Sequence, residues 1–150
     1  MLKGIDPRLN ADVIHTLAAM GHGDVLVLAD MNFPSESVAR ETMLGELLRM
    51  ENLTSAEAAE AVLSLLPLDS FVEDHARRME VVGKPDEIPA LQQEVQAVID
   101  TAEGRPRPML GIERFAFYDE ARAAFAVIRT GERRPYGCFL LRKGVILADG

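Results

Sequence analysis

Hydrophobic residues recur every three or four positions in three stretches of the chain, which is the spacing of a helix with one buried face. The first stretch follows Asn10, a residue suited to capping a helix N-terminus, and Gly21 ends it. The second begins with Thr-Ser-Ala-Glu at 54–57, the pattern of a capping box. The third covers residues 88–99 and stops before Gly104. The pattern therefore predicts three amphipathic helices.

Short apolar runs between these helices predict strands. Residues 25–29, Val-Leu-Val-Leu-Ala, suit a strand covered on both faces, and residues 31–37 suit a loop that leaves its carboxyl end. Residues 71–82 fit a helix or a strand, and we favour a strand at its end. The remaining predictions are strands at 79–82, 109–112, 126–129 and 139–141 and a short helix at 117–125. This alternation predicts a layered α/β/α fold whose mostly parallel sheet becomes mixed if the last strands pair closely.

Composition narrows the class of protein and its partners. A chain of 150 residues, 48% of them hydrophobic, suits one domain over residues 1–150. The net charge of -8 disfavours nucleic acid and anionic membrane surfaces as partners. No stretch has the length of a signal peptide core or a membrane span, so we expect a cytoplasmic protein. Cys138 is the only cysteine, which excludes an intramolecular disulfide and a thiolate metal cage.

An imidazole lies between two glycines in the segment Gly-His-Gly-Asp at 21–24. The missing side chains would let a ligand approach His22 closely, although the same residue could cap the preceding helix. Asp30 ends a predicted buried strand beside a polar loop, where it could accept sugar hydroxyls or brace the loop. His22, Asp24 and Asp30 could in principle hold a metal, but this spacing has low specificity, and we predict no metal site.

A second cluster of candidate ligand-binding residues lies near the C-terminus. Arg114 and Tyr118 belong to Arg-Phe-Ala-Phe-Tyr, and Tyr136, Gly137 and Cys138 follow a predicted turn. Guanidinium donors and phenol rings suit sugar hydroxyls and sugar C–H surfaces. A surface ion pair for the arginine and burial of the thiol are the alternatives. Phosphate-loop, nucleophile-elbow and zinc-helix motifs are missing, which disfavours hydrolases and nucleotide cofactors.

Several ordered segments resemble the L-fucose mutarotase and D-ribose pyranase family, most of all its fucose branch. The N-terminal segments are Met-Leu-Lys-Gly-Ile at 1–5, Ala-Met-Gly-His-Gly-Asp at 19–24, Ala-Asp at 29–30 and Asn-Phe-Pro at 32–34. The C-terminal segments are 114–118, Ala-Phe-Ala at 124–126, Thr-Gly-Glu-Arg at 130–133, Tyr-Gly at 136–137 and Leu-Arg-Lys-Gly-Val at 141–145. Residues 37–108 resemble the family only loosely.

The resemblance implies an α/β fold assembled into a ring-based homo-oligomer, commonly a decamer, with active sites between subunits. It assigns His22 as the catalytic acid/base, and Asp30, Arg114 and the segment 136–138 as substrate-binding. Two positions depart from the family: Cys138 replaces a usual asparagine, and Asn32 replaces a frequent histidine. Because a thiol cannot supply an amide's paired donor and acceptor, the reaction class is better supported than the identity of the sugar.

The implied reaction exchanges the anomers of a free monosaccharide without a cofactor. It needs proton removal from the anomeric hydroxyl and proton delivery to the ring oxygen, which an imidazole titrating near neutrality suits. Tyr118 and Tyr136 could share the proton transfer, and Asp24 is a further candidate. Ribose pyranase activity and a non-catalytic sugar-binding accessory to transport are the alternatives.

Overall fold

A computed structural model describes residues 1–149, which form five helices and six strands within that range. The helices are α1 Ala11–Ala19, α2 Ser35–Ala39, α3 Ser55–Leu63, α4 Ala90–Glu103 and α5 Arg114–Arg122. The strands are β1 Val25–Ala29, β2 Leu48–Met50, β3 Ala76–Met79, β4 Leu110–Ile112, β5 Ala126–Thr130 and β6 Phe139–Arg142.

All six strands form one sheet in the order β2-β5-β1-β6-β3-β4. Five strands run in the same direction, and β6 lies antiparallel between β1 and β3. The mostly parallel, mixed sheet is therefore confirmed. Because β1 is flanked by β5 and β6, it is central, and its carboxyl end lies beside the start of β6.

Helices cover both faces of the sheet, which confirms the layered α/β/α fold. Leu26 and Leu28 of β1 face a core built with α1, α3 and α4. Val27 and Ala29 alternate to the other face and pack with α2 and α5. This period of two, with apolar residues on both faces, explains why β1 appears in the sequence as a continuous hydrophobic run.

The capping residues identified in the sequence lie at the observed ends of α1, α3 and α4. Asn10 accepts a hydrogen bond from the Val13 N–H, and the Thr54 capping box is complete. Gly104 adopts the left-handed conformation that ends α4, with φ of 72°. These three helix boundaries confirm the patterns that predicted them.

Three segments differ from the sequence-based predictions. The loop expected at 31–37 contains the start of α2, and β2 was missed because three residues give little periodic signal. The strand expected at 79–82 instead lies at Ala76–Met79, and the helical alternative for this segment is wrong. This strand is hard to recognise in the sequence because two of its four residues, Arg77 and Arg78, are charged. They are buried because the first pairs with Glu120 and the second reaches a glutamine of α4.

The last predicted helix also begins earlier than expected. α5 starts at Arg114 because the carboxylate of Glu113 accepts the free N–H groups of its first turn. None of the helices within residues 1–149 has the length and apolar character needed to cross a membrane.

Candidate functional site

An open cleft of about 270 Å³ lies at the carboxyl end of β1. We name it the strand-end pocket. Its lining combines polar and apolar side chains: Asp30, Asn32, Phe33, Met79, Val82, Arg114, Tyr118, Pro135, Tyr136 and Cys138. The structure thus brings together Asp30 and four of the C-terminal residues that the sequence analysis selected, as expected for ligands at the carboxyl ends of parallel strands.

Asp30 lies at the base of the pocket and is 5% exposed. Its Oδ1 accepts hydrogen bonds from the N–H groups of Asn32 and Phe33, at 3.0 and 2.9 Å. Its Oδ2 accepts one from the Gly137 N–H at 3.0 Å. These bonds join the loop after β1 to the loop before β6, so Asp30 braces the pocket. Direct contact between Asp30 and a sugar stays a prediction.

Arg114 and Tyr118 form one polar side of the pocket because they lie one turn apart on α5. The Arg114 Nε donates a hydrogen bond to the Tyr118 hydroxyl at 3.2 Å. The same guanidinium lies over the Phe115 and Tyr118 rings, at 5.3 and 5.5 Å from their centroids. The arginine is therefore directed toward the pocket by its aromatic neighbours rather than toward an acidic surface partner.

Tyr136 also lines the pocket, from a backbone that is unusual for a residue other than glycine, with φ of 65°. Its hydroxyl accepts a hydrogen bond from the Val82 N–H at 3.2 Å, which leaves the phenol proton for a ligand. Its carbonyl accepts one from the Gln92 side chain at 3.0 Å. Left-handed geometry costs a tyrosine about 1–2 kcal/mol, so these bonds hold a strained conformation.

Gly137 and Cys138 are buried behind this loop. A Cβ atom at Gly137 would lie 2.8 Å from the Cγ of Glu132, so the chain can pass here only without a side chain. Burial, and then the negative charge of Asp30, raise the pKa of the Cys138 thiol well above its usual value. Cys138 thus gives the pocket a neutral, mainly apolar wall.

His22 lies at the other end of β1 from this pocket. It precedes the first strand residue, whereas Asp30 follows the last, and five strand residues alone extend about 16 Å. Within one chain, the structure therefore does not bring His22 together with the predicted sugar-binding residues. Asp24 also lies at this far end, where its carboxylate accepts the Gly21 N–H at 2.7 Å and closes the turn that carries His22.

The His22 side chain is 47% exposed and paired with a carboxylate that the sequence analysis did not select. Its Nε2 lies 3.0 Å from Oδ2 of Asp69, and its ring lies 5.8 Å from that of Phe71. The alternative that His22 caps the end of α1 is wrong, because its side chain pairs with Asp69. The ammonium of Lys143 instead binds the Leu17 carbonyl near the end of α1, at 2.7 Å.

Asp69 and Gln92 are the positioning residues that sequence reasoning missed. Asp69 follows Pro67-Leu68 after a helix, where an aspartate is an ordinary loop residue. Gln92 lies beside the apolar stripe of α4 and is fully buried, with its amide donating to the Met79 and Tyr136 carbonyls. Neither residue has a local signal of its own, because each acts on a partner far away in sequence.

No group of three or more histidine, cysteine or acidic side chains is arranged to hold a metal ion among residues 1–149. The other two histidines neither line the strand-end pocket nor take part in the contact between His22 and Asp69. His15 is exposed on α1, and His75 is buried with its Nε2 at 3.2 Å from the Arg107 carbonyl.

Comparisons with known proteins agree with this architecture. The fucose mutarotase of Homo sapiens is 43% identical over 97% of this chain and 94% of its own length. The crystal structure of protein Atu2016 is 59% identical, covers 98% of this chain and 97% of its own, and has a TM-score of 0.96. The Streptococcus pneumoniae fucose mutarotase in complex with L-fucose is 34% identical, with coverages of 97% and 100% and a TM-score of 0.86.

The profile of the RbsD / FucU transport protein family matches residues 3–146, which is nearly the whole chain. The resemblance inferred from the ordered sequence segments is thereby confirmed, including the loosely similar middle of the chain. This chain belongs to the RbsD / FucU transport protein family.

Proposed function

We propose that this protein is an isomerase, a monosaccharide mutarotase that interconverts the anomers of L-fucose or a related sugar by general acid/base catalysis. The observation that carries the proposal is the strand-end pocket, in a chain 43% identical to a fucose mutarotase. A guanidinium and two phenol groups line it together with apolar side chains, which is the combination that a monosaccharide requires.

The mixed polar and apolar lining of the pocket suits a 6-deoxy sugar. Arg114 and Tyr136 offer donors to ring and hydroxyl oxygens. Met79, Phe33 and Cys138 form an apolar wall against which the C5 methyl of L-fucose would pack. A hydroxymethyl group there would lose its water without gaining a polar partner, so we expect L-fucose to bind more tightly than L-galactose, which differs from it only in that group.

We assign proton transfer to His22. Anomer exchange takes a proton from the anomeric hydroxyl, returns one to the ring oxygen as the ring opens, and reverses both steps after the aldehyde rotates. A histidine titrates near neutrality, so it can both accept and donate a proton under the same conditions. Arg114, Tyr118 and Tyr136 would orient the hydroxyls, and Asp30 would hold the loop that carries Tyr136.

This assignment requires two copies of the chain, because His22 lies at the opposite end of β1 from its own pocket. We therefore propose a site in which one protomer supplies the pocket and a neighbour supplies His22. Different surfaces of the two copies would then meet, and repeating such a contact closes a ring. A ring-based decamer in the cytoplasm is the form we propose.

Exposed aromatic residues at both places support such a contact. Phe71, beside His22, is 68% exposed, and Phe115, whose ring packs against the Arg114 guanidinium of the pocket, is 64% exposed. Val82 adds a further apolar side chain to the rim. Apolar side chains exposed beside candidate catalytic groups are typical of surfaces that another protein covers.

Saturation-difference NMR on equilibrated fucose, ribose, galactose and rhamnose tests the proposed reaction. We expect protein-dependent exchange between fucose anomers, fastest among the four sugars and undiminished by a chelator. Preferential exchange between ribose pyranose and furanose forms would instead establish the pyranase alternative. Binding of a sugar without accelerated exchange would establish the non-catalytic accessory.

The role of His22 is tested by its alanine variant, with His15→Ala on the exposed face of α1 as the matched control. General acid/base assistance is worth about 10²- to 10⁴-fold, so His22→Ala should lower the exchange rate by that range and change fucose affinity little. His15→Ala should exchange fucose at the parental rate. An exchange rate for folded His22→Ala within about twofold of the parent would exclude the proposed role.

A further inference from the structure

A second cavity, of about 330 Å³, is lined by residues of α4, β3 and the segment 106–109. We name it the α4 pocket. Its lining residues are Arg78, Ile88, Gln92, Gln93, Gln96, Asp100, Pro106, Pro108 and Met109, none of which lines the strand-end pocket. Its volume lies at the lower end of the range for ligand pockets, so it suits a small molecule.

Arg78 gives the α4 pocket a buried positive charge. The residue is only 8% exposed. Its guanidinium donates to the Gln92 side-chain oxygen at 3.5 Å and to the Pro85 carbonyl at 3.3 Å. Both acceptors are neutral and both distances are long for hydrogen bonds, so these contacts compensate the charge poorly.

The other buried arginines of residues 1–149 have carboxylate partners. Arg77 pairs with Glu120, and Arg107 pairs with Glu103. Arg78, by contrast, forms no ion pair with any carboxylate within that range. A buried charge is costly unless an opposite charge balances it, so the guanidinium of Arg78 is suited to an anion that the chain itself does not supply.

The amino end of α4 adds to the positive potential of the pocket. Pro89 at the N-cap makes no side-chain capping bond, and the first turn of the helix contains no acidic residue. Ile88 and Gln92 bring the pocket to this end of α4. The aligned peptide dipoles of a helix place partial positive charge at its N-terminus, where anions are stabilised.

The rest of the lining limits the kind of anion that fits. Its apolar members are Ile88, Pro106, Pro108 and Met109. Asp100 adds one negative charge, and its Oδ1 accepts bonds from the Gln96 amide and the Arg107 N–H, each at 2.8 Å. This carboxylate would repel a second negative charge on a ligand, whereas the apolar side chains suit a hydrocarbon body.

We propose that the α4 pocket binds a small organic monocarboxylate. Its carboxylate pairs with the guanidinium of Arg78, and its apolar body packs against the segment 106–109. Arginine suits this role because its planar group forms paired, charge-assisted hydrogen bonds with a carboxylate. Inorganic phosphate fits less well, because it is more highly charged beside Asp100 and has no apolar body.

Benzoate is the probe for this site, and benzamide, which has nearly the same shape without the charge, is its matched control. Methyl NMR of Ile88 and Met109 reports binding in the α4 pocket. We expect their signals to shift saturably at millimolar benzoate. Benzamide and inorganic phosphate should each bind about tenfold or more weakly, and excess fucose should not displace benzoate.

Two variants locate the carboxylate. Arg78→Met should lose benzoate binding, whereas Arg77→Met should keep it, because the Arg77 side chain leaves β3 toward α5 and that of Arg78 toward α4. Gln93→Glu adds a negative charge at an exposed position of the lining and should weaken benzoate binding by about tenfold.

Several results would overturn the proposal. In the parent protein, where no variant has to fold, these are unchanged Ile88 and Met109 signals, equal affinity for benzoate and benzamide, or displacement of benzoate by fucose. Phosphate binding as tight as that of benzoate would refute the monocarboxylate class, and parental benzoate affinity in Arg78→Met would refute the role of the guanidinium. None of these measurements uses sugar exchange, so they are independent of the proposed mutarotase activity.

Discussion

Replacing Gln92 by methionine should destabilise the fold and also loosen the loop that carries Tyr136. Gln92 is fully buried, and its amide donates to the Met79 and Tyr136 carbonyls at 2.8 and 3.0 Å. Methionine fills similar volume but donates nothing. Each buried carbonyl left without its donor costs about 1–3 kcal/mol, so the loss of two bonds should lower the unfolding free energy by about 2–6 kcal/mol. A domain whose stability lies in the middle or upper part of the usual range of about 5–15 kcal/mol would remain folded.

The same change should weaken fucose binding through Tyr136. Without the bond to its carbonyl, Tyr136 can relax from its left-handed conformation, and binding must then restore about 1–2 kcal/mol of strain. That energy corresponds to an affinity loss of about 5- to 30-fold. The variant should therefore bind fucose measurably but weakly.

Urea unfolding and NMR titration with fucose measure the two effects. Gln93→Met is the matched control, because Gln93 is the next residue of α4, exposed, and donates to the Ile88 carbonyl at 2.9 Å. The control should keep nearly the parental midpoint and affinity. Equal loss of stability in both variants, or parental fucose affinity in Gln92→Met, would refute the reasoning.

Three further predictions concern the loop before β6. Gly137→Ala should abolish fucose binding and cost about 1–3 kcal/mol in urea unfolding, because its Cβ would lie 2.8 Å from Glu132 Cγ; parental binding would contradict this. Iodoacetamide should label Cys138 only after unfolding, because its thiol is buried and its pKa is raised; mass spectrometry showing rapid labelling of folded protein would contradict this. Hydrogen bonds from Arg134 lower the pKa of Glu132, so its stabilisation is present above the ordinary value of 4.5 and lost as pH falls. The difference in unfolding free energy between parent and Glu132→Gln should shrink from about pH 5 to about pH 3, and a constant difference would contradict this.

The sequence predicted those parts of the fold that have strong local signals. β1 is apolar on both faces, and the Thr54 capping box and Gly104 define helix ends through residues at most a few positions away. β3 was misplaced because its buried arginines bond to side chains of other elements. Such compensation depends on tertiary contacts, which periodicity along one segment does not report.

The candidate site likewise has features that local sequence signals predict and features that depend on contacts between distant residues. The segment 114–118 has helical spacing, so a guanidinium and a phenol on one side of α5 could be expected from the sequence. The sequence could not predict that Asp30 accepts hydrogen bonds from three backbone N–H groups, because one donor, Gly137, is far from it in the chain. The separation of His22 from the pocket follows only from the direction of β1, and it is the observation on which the proposed two-chain site rests.

The central claim is that one active site combines His22 of one protomer with the pocket of its neighbour. Co-expression of His22→Ala with Arg114→Ala tests it most directly, because each variant alone should be nearly inactive in NMR fucose exchange. In randomly mixed rings, one site in about four would contain both intact halves, so exchange should recover to about a quarter of the parental rate. Exchange no faster than the average of the two separate variants would contradict a shared site.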